Sequence, residues 1–291
     1  MSESVHIPVL LDECLESLRI HPEGIYVDGT FGGGGHSRAI VERLGGTGQV
    51  ISIDQDPAVF ERASSWIVDQ PIQQVHANFR RLPSILKELE IPQVDGILLD
   101  LGLSSDQLAD DQRGFSFQAE GDLDLRFDPT RGEPAWKLVN RLSAKHLADL
   151  IYQNGEERFS RRIASKIVEI RKDRPFRQLS EFVALVRSCV PRSRNHSIDP
   201  ATRTLQALRI AVNDELGSLD DALKCFPDLL KPGGRFSVIS FHSLEDRRVK
   251  NAFRDDPRLE KVTRKPVVAS EEELVVNSRA KSAKLRVAQK N

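Results

Sequence analysis

Cysteine is scarce in this sequence, with three among 291 residues. Cys14, Cys189 and Cys225 are far apart and form no C-x-x-C pair, which argues against a zinc site and against a disulfide framework. We therefore expect no bound metal. Such scarcity is typical of proteins from a reducing compartment, so a cytoplasmic location is expected.

Long apolar runs are also missing. No segment approaches the roughly 20 consecutive apolar residues that span a bilayer, and residues 1–11 lack the charged-then-apolar pattern of a secretion signal. No membrane association is expected. Hydrophobic residues make up 39% and charged residues 29% of the chain, which is ordinary globular composition. The length suits one large domain that carries an insertion.

Four short segments in the first third of the chain are predicted to be strands, at residues 24–28, 49–54, 72–76 and 94–100, and the last has the continuous apolar run of a strand covered on both faces. Three of them end in an acid: Asp28, Asp54 and Asp100. A fifth strand is predicted at 235–241 and a final edge strand at 283–288. Strands that alternate with glycine turns and helices are typical of parallel sheets with right-handed crossovers. We predict an α/β fold with a mostly parallel, Rossmann-like sheet.

This alternation stops between residues 106 and 208, where helical patterns occur at 144–152, 159–171 and 179–190 without a convincing strand. Residues 158–203 hold twelve lysines and arginines against four acids, a net +8 in a chain of net charge −1. A cationic segment on an otherwise acidic protein suits polyanion binding, although a solvated helix face with extra arginines would give the same count. We predict a core of 1–105 and 209–291, with an all-helical insertion at 106–208.

A glycine run, residues 32–35, lies between the first strand and a predicted helix, where glycine lets the backbone approach a ligand closely. A dinucleotide site would hold a pyrophosphate there and use an acid about 20 residues further on, such as Asp54, for a ribose. S-adenosylmethionine instead carries cationic sulfonium and ammonium groups, which favour an acid at the strand end. Spacing alone leaves NAD open, but Asp28 and Asp100 favour S-adenosylmethionine.

Several longer motifs carry a specific resemblance, among them YVDGTFGGGGHSR (26–38), DGILLDLGLSSDQL (95–108), YQNGEERFSRRIA (152–164), HSIDPATRTLQALRIAVNDEL (196–216) and KPGGRFSVISFHSLEDRRVK (231–250). With these motifs the chain resembles the RsmH (MraW) family nearly end to end. The resemblance implies a class I methyltransferase core with an inserted helical domain. It also implies S-adenosylmethionine-dependent methylation of the N4 amino group of a specific cytidine in 16S ribosomal RNA, in the decoding region of the small subunit.

Transferred by position, the resemblance implies cofactor contacts from Gly34, Gly35, His36, Asp54, Phe79, Asp100 and Gln107. Asp54 would hold the ribose hydroxyls, and Asp100 and Gln107 would lie near the methionine end. Phe79 follows the third strand, so its ring could stack on adenine, although a plain core phenylalanine would fit the same pattern.

Methylation of a cytosine amine needs alignment and an acceptor for its N–H groups, because the nitrogen lone pair is delocalised into the ring. The candidate catalytic residues are Asp100, Ser104, Ser105 and His242. Asp100 would orient the amine, and the other three would shape its pocket. A helix-capping role fits His242 equally well.

Two absences narrow the chemistry further. No cysteine lies in the motif loops, which argues against methylation of a ring carbon through a cysteine nucleophile. No Pro-Pro-aromatic motif follows the fourth strand, unlike in many amino-directed methyltransferases, so another ring must stack on the target base. The candidates are Phe115, Phe117 and Phe241.

The implied partner is 16S rRNA or the small ribosomal subunit, and the insertion is then an RNA-recognition domain. Its phosphate contacts are predicted to be Arg161, Arg162, Arg171 and Arg194. Alternatively, the insertion supports a homodimer or forms a lid over the cofactor. From the residues alone, an NAD-dependent oxidoreductase and a non-catalytic RNA-binding protein stay open as other functions.

Overall fold

The computed structural model describes residues 7–117, 120–191 and 199–291. Its strands are β1 (Ile25–Asp28), β2 (Gln49–Asp54), β3 (Ile72–His76), β4 (Val94–Asp100), β5 (Leu230–Ser240), β6 (Leu259–Lys261) and β7 (Lys284–Lys290). Its helices are α1 (Leu11–Leu18), α2 (Gly35–Val41), α3 (Ala58–Ile67), α4 (Leu82–Glu88), α5 (Ser105–Ala109), α6 (Ala135–Arg141), α7 (Ala144–Gly155), α8 (Ser160–Ile170), α9 (Leu179–Cys189), α10 (Thr202–Asn213), α11 (Glu215–Cys225), α12 (Ser243–Asp255) and α13 (Glu271–Val276). Short 3-10 helices span Phe79–Arg81, Phe226–Leu229 and Ser278–Ser282.

The seven strands form one sheet in the order β3-β2-β1-β4-β5-β7-β6. The pairings among β1 to β5 are parallel, and β7 runs antiparallel to both of its neighbours. This sheet confirms the predicted α/β fold with a mostly parallel, Rossmann-like sheet. The order reverses between β1 and β4, the point where ligands bind in such sheets, outside the carboxyl ends of the strands.

The last strand is not at the edge of the sheet, so that part of the prediction is wrong. β7 pairs with β5 on one side and with β6 on the other. The edge strand on this side of the sheet, β6, is three residues long, too short to show a recognisable alternation of apolar residues.

The central strands of the sheet are covered on both faces, which explains why they are largely apolar. Along β4, Ile97 and Leu99 point to one face and Leu98 to the other, as the two-residue period requires. Ile97 and Leu99 pack in a cluster that includes Phe226 from the 3-10 helix after α11. Leu98 packs in the opposite cluster with Ile40 of α2.

The chain divides into two compact units, one of residues up to 106 together with 216–291, and one of 107–215. The first holds the whole sheet. Within the described part of the second, helices α6 to α10 occur without a strand, and one isolated antiparallel bridge joins Asp122 to Gln178. The second unit ends at 215, later than the predicted 208, because α10 packs against α7. At their contact, a Cβ on Gly155 would lie 2.3 Å from the carbonyl oxygen of Arg203.

Among the residues that the structure describes, none of the helices combines the length and the apolarity needed to cross a bilayer.

Candidate active site at the carboxyl edge of the sheet

Three acids end neighbouring strands of the sheet. Asp28 ends β1, Asp54 ends β2 and Asp100 ends β4. These strands are adjacent and parallel, so the three side chains lie at one edge of the sheet. Burial raises the pKa of each of the three carboxyl groups to about 6. Carboxylates held away from water are destabilising unless donors or cations compensate them, so this edge is built to receive positive charge or hydrogen-bond donors.

The glycine loop between β1 and α2 has a backbone that only glycine adopts easily. Gly32 and Gly34 have φ angles of 53° and 77°, in the left-handed region. A Cβ on Gly34 would lie 2.6 Å from the Trp66 ring and 2.7 Å from the Phe31 ring. Conformation and space therefore both require glycine at position 34, immediately before α2 begins.

Asp28 holds this loop through contacts within the protein. Its Oδ1 accepts from the Thr30 backbone N–H at 3.2 Å, and its Oδ2 accepts from the Ser37 hydroxyl at 2.7 Å. The Ser37 hydroxyl also lies 2.8 Å from that of Ser52 on β2. Asp28 is only 1% exposed, so its role is to hold the glycine loop through buried hydrogen bonds.

Asp54 also anchors the loop but keeps some exposure. Its Oδ2 accepts from the Gly32 N–H at 2.8 Å, and its Oδ1 accepts from the Asp56 N–H at 2.9 Å. Each carboxylate oxygen has a second lone pair. Asp54 can therefore hold the loop and still accept a hydrogen bond from a ligand hydroxyl.

Asp100 differs from the other two acids because one of its carboxylate oxygens is left open. Its backbone N–H donates to the Thr30 hydroxyl at 2.6 Å. Its Oδ1 is buried and has no hydrogen-bond partner among the described residues, although buried acceptors are nearly always paired in native proteins. This oxygen is the clearest sign of a missing donor at the edge.

His36, in the first turn of α2, faces the second oxygen of Asp100. Its Nε2 lies 3.0 Å from the carbonyl oxygen of Val9, which only accepts, so Nε2 carries a proton. Its Nδ1 is 3.9 Å from Asp100 Oδ2. The side chain thus links the segment before α1 to the acid at the end of β4, in addition to any contact by its backbone.

The loop after β4 brings Ser104 and Ser105 to the same edge. Ser104 is buried, and its Cβ lies 3.6 Å from the position of a Cβ on Gly32. The Ser105 hydroxyl accepts from Arg279 Nη1 at 2.8 Å. Sequence reasoning missed Arg279, because it lies outside every motif considered and 174 residues away from Ser105.

At the end of β5, His242 is the N-cap of α12. Its Nδ1 accepts from the Glu245 N–H at 3.4 Å, and Glu245 Oε2 accepts in return from the backbone N–H groups of Phe241 and His242 at 2.9 and 3.3 Å. This reciprocal capping box fixes the start of the helix. The Phe241 ring lies 3.5 Å from the position of a Cβ on Gly102, which places it beside the loop after β4.

The remaining predicted contacts are Phe79 in the first unit and Gln107, Phe115 and Phe117 in the second. Phe79 is 7% exposed and packs edge-on against Phe226, with 6.5 Å between ring centroids, so much of its ring serves the core. Gln107 is buried in the second unit, as is Phe115, while Phe117 is 38% exposed there. The roles of these four residues toward cofactor and base stay predictions.

The features of this edge fit S-adenosylmethionine. Asp54 can accept from ribose hydroxyls. Asp100 Oδ1 is buried and has no hydrogen-bond donor among the described residues, so it can accept from a bound molecule. A pyrophosphate would face repulsion from the same acids. Among the described residues, no cluster of three or more histidine, cysteine or acidic side chains is arranged to hold a metal ion.

The basic side chains of the second unit differ in what they contact. Several are neutralised internally: Lys166 pairs with Glu169, Arg174 with Glu181, Arg177 with Asp122 and Arg187 with Asp199. Arg171 donates to the carbonyl oxygen of Val139 at 2.6 Å, which gives it a structural role. Three exposed side chains, Arg158, Arg161 and Arg162, have no acidic partner in the described part of the chain. Arg194, also predicted to contact phosphate, lies outside the described residues.

The chain is similar to known proteins over nearly its whole length. A model of the MraW methylase family matches residues 3–291. The chain is 51% identical over 301 residues to the ribosomal RNA small subunit methyltransferase H of Rhodopirellula baltica, covering 99% of this chain and 92% of that protein. It is 46% identical to the protein of the same name from Heliobacterium mobile, covering 98% of each.

A solved structure of an rRNA methylase from Streptococcus thermophilus covers 99% of this chain and 98% of its own, with a TM-score of 0.46 and 10% identity. The family model and the curated relatives confirm the resemblance that the motifs carry. The family model matches residues 3–291, a range that includes the glycine loop and the ends of β4 and β5, and the two relatives cover 98% or more of the chain. The chain therefore belongs to the MraW methylase family.

Proposed function

We propose that this protein transfers a methyl group from S-adenosylmethionine to the N4 amino group of a specific cytidine in 16S rRNA. Membership of the MraW methylase family supports methyl transfer over the nicotinamide-oxidoreductase and non-catalytic alternatives. Names of relatives such as the Rhodopirellula baltica protein support small-subunit rRNA as substrate. The structural observation that carries the proposal is the open oxygen of Asp100 at an edge of buried acids.

S-adenosylmethionine, when bound, supplies a methyl group attached to a positively charged sulfur. An amine nitrogen can attack that methyl carbon, and the sulfur then leaves as a neutral thioether. The protein's task is then to align the nitrogen and to accept its N–H groups as positive charge develops on it. Asp100 Oδ1 is the acceptor best placed for this, because the protein leaves it without a donor. We assign to Ser104, Ser105 and His242 the shaping of the pocket around the base.

The neighbours of Asp100 adjust how readily it ionises. Burial raises its pKa to about 6, the positive charges of His36 and Arg279 lower it, and the negative charges of Asp28 and Glu245 raise it. The balance leaves the carboxyl ionised, and able to accept, at neutral pH.

The target base must leave its stack in the RNA to reach this edge of the sheet. An aromatic side chain of the protein is then needed to stack on the base in place of its neighbours in the RNA. Of the three candidate rings, Phe241 lies in the same unit as Asp100 and follows β5 directly. We assign it the stacking role, because its ring is only partly buried and lies beside Gly102 in the loop that follows Asp100.

We further propose that the second unit recognises RNA through an arginine stripe, defined as Arg158, Arg161 and Arg162. The last two lie on the exposed side of α8, opposite its buried Ile163 and Ile167. An arginine without an acidic partner can neutralise a phosphate and release its counterions. An arginine that already forms an ion pair within the protein contributes less to this salt-dependent binding.

The stripe has a matched control within the same unit. We expect Arg161→Ala with Arg162→Ala to lower the slope of log affinity against log salt by about 1.4, at about 0.7 per phosphate contact on single strands. Arg174→Ala with Arg187→Ala removes the same charge from two arginines that are already ion-paired and should change the slope little. Equal changes in the two double variants would contradict the assignment.

The central test is nucleoside mass spectrometry of small-subunit particles that lack the modification, after incubation with this protein and S-adenosylmethionine. New N4-methylcytidine is the expected product. The Asp100→Asn protein serves as the control, because it keeps the side-chain shape but loses the charge. Cofactor binding without any methylated nucleoside would refute the proposed substrate.

A further inference from the structure

Arg279 reaches the candidate site from the 3-10 helix Ser278–Ser282 near the end of the chain. Its guanidinium donates from Nη1 to the Ser105 hydroxyl at 2.8 Å and from Nη2 to the carbonyl oxygen of Leu103. These two acceptors lie in the loop that carries the predicted catalytic serines. The loop is therefore held by one side chain at two points.

The backbone beneath Arg279 is fixed as well. The Asn277 side chain caps the 3-10 helix by accepting from the Arg279 N–H at 3.3 Å, and it donates to the carbonyl oxygen of Ile7 at 3.2 Å. Asn277 is 5% and Ala280 1% exposed. The guanidinium thus projects from a buried and capped turn.

Arg279 also acts on the acid at the end of β4. Burial raises the pKa of Asp100, and the positive charge of Arg279 counteracts part of that rise. Burial lowers the pKa of Arg279, and the charges of Asp100 and Asp106 act in the opposite direction. The other titratable groups that act on Asp100 or respond to it are His36, Asp28, Glu245 and the Cys14 thiol. Of the residues named, only His36 and Arg279 favour the ionised carboxylate.

We infer that Arg279 is a positioning residue for methyl transfer, which clamps the loop 103–105 and holds a positive charge near Asp100. The role of Arg279 in methyl transfer rests on the proposed function, whereas its contacts with residues 103–105 do not. Arginine suits the task because its planar fork donates in two directions at once, whereas lysine offers a compact point charge. The charge and the fork can therefore be removed separately.

Arg279→Met removes both features, and Arg279→Lys keeps the charge while it removes the fork. A matched control is Arg264→Met, because Arg264 is exposed and belongs to neither the clamp nor the predicted active site. The first measurement is the titration of the Asp100 carboxyl carbon by NMR in aspartate-labelled protein, assigned with Asp100→Asn. It needs no substrate, so it stays informative if the rRNA assignment fails.

We expect the titration midpoint of Asp100 to rise by about one pH unit in Arg279→Met and to stay unchanged in Arg279→Lys and Arg264→Met. We expect kcat on the rRNA substrate to fall about ten- to a hundredfold in both Arg279 variants, as displacement of a reacting group does, with melting temperatures recorded beside it. An unmoved midpoint in Arg279→Met, or full activity in Arg279→Lys, would overturn the inference. If Arg279→Met does not fold, the activity of Arg279→Lys decides the role of the clamp.

Discussion

Replacement of Asp100 by asparagine should stabilise the sheet-containing unit at neutral pH, although it removes the residue assigned to the reaction. Burial raises the pKa of this carboxyl from its ordinary 3.8 to about 6. A group whose pKa is raised on folding binds its proton more tightly in the native state, so the native state loses stability as pH rises through that range. Each tenfold change in the ionisation constant is worth about 1.4 kcal/mol, so the full cost is about 3 kcal/mol above pH 6.

Asparagine has the same shape and no charge, so it avoids this cost. The expected gain in the free energy of unfolding is therefore up to about 3 kcal/mol at pH 8, about half of that at pH 5, and none well below pH 3.8. The gain is an upper value, because the amide must still find hydrogen-bond partners in the same place.

Urea denaturation can isolate the relevant unit. The chain has two tryptophans, Trp66 in the first unit and Trp136 in the second, so the fluorescence of a Trp136→Phe background reports through Trp66. Asp95→Asn is the control of opposite sign. Although burial raises the pKa of Asp95, hydrogen bonds from the Ile25 N–H and from Lys231 lower it overall, so its loss should destabilise at pH 8.

A gain at pH 8 that shrinks towards pH 5 is the expected signature. If Asp100→Asn destabilises at pH 8, or if its effect is the same at both pH values, the reasoning about a buried carboxylate with a missing donor is wrong. Opposite signs for Asp95→Asn and Asp100→Asn would show that the site, and not the substitution, decides the effect.

Three further outcomes test the site. As pH falls through about 6, kcat/KM should drop because Asp100 becomes protonated and no longer accepts; a pH–rate profile that stays flat to pH 5 would exclude it as the acceptor. Gly34→Ala should weaken S-adenosylmethionine binding in calorimetry, because a Cβ there lies 2.6 Å from Trp66 at a φ of 77°, and unchanged affinity would place the ligand elsewhere. His242→Ala should cost about 1 kcal/mol through the lost helix cap while His242→Asn keeps the cap; if His242→Asn is also fully active, the histidine only caps α12.

The sequence was most informative where the pattern is local. Strands β2, β3 and β4 begin and end at the predicted residues. For β2 and β4 the reason is that largely apolar segments ending in an acid mark buried parallel strands. The glycine loop was recognisable for the same reason, since left-handed backbone needs glycine at fixed positions.

Long-range pairing could not be predicted in this way. The partners of Arg279 depend on how the sheet brings residues 103–105 next to a turn near the end of the chain. The place of β7 depends on β6, which contains only three residues. The division of the basic residues into paired and unpaired ones depends on side-chain contacts that a count of charges cannot reveal.

The order of the strands has a consequence for how the chain folds during synthesis. β4 and β5 are neighbours in the sheet, but the whole second unit separates them along the chain. β6 pairs with β7 alone among the described strands, and β7 is synthesised after β6. We therefore expect the continuous helical unit to fold first, since its contacts are local, and the sheet to close only once residues 284–290 have emerged. The Arg279 clamp would form at that same late stage, so partly synthesised chains would lack an assembled site.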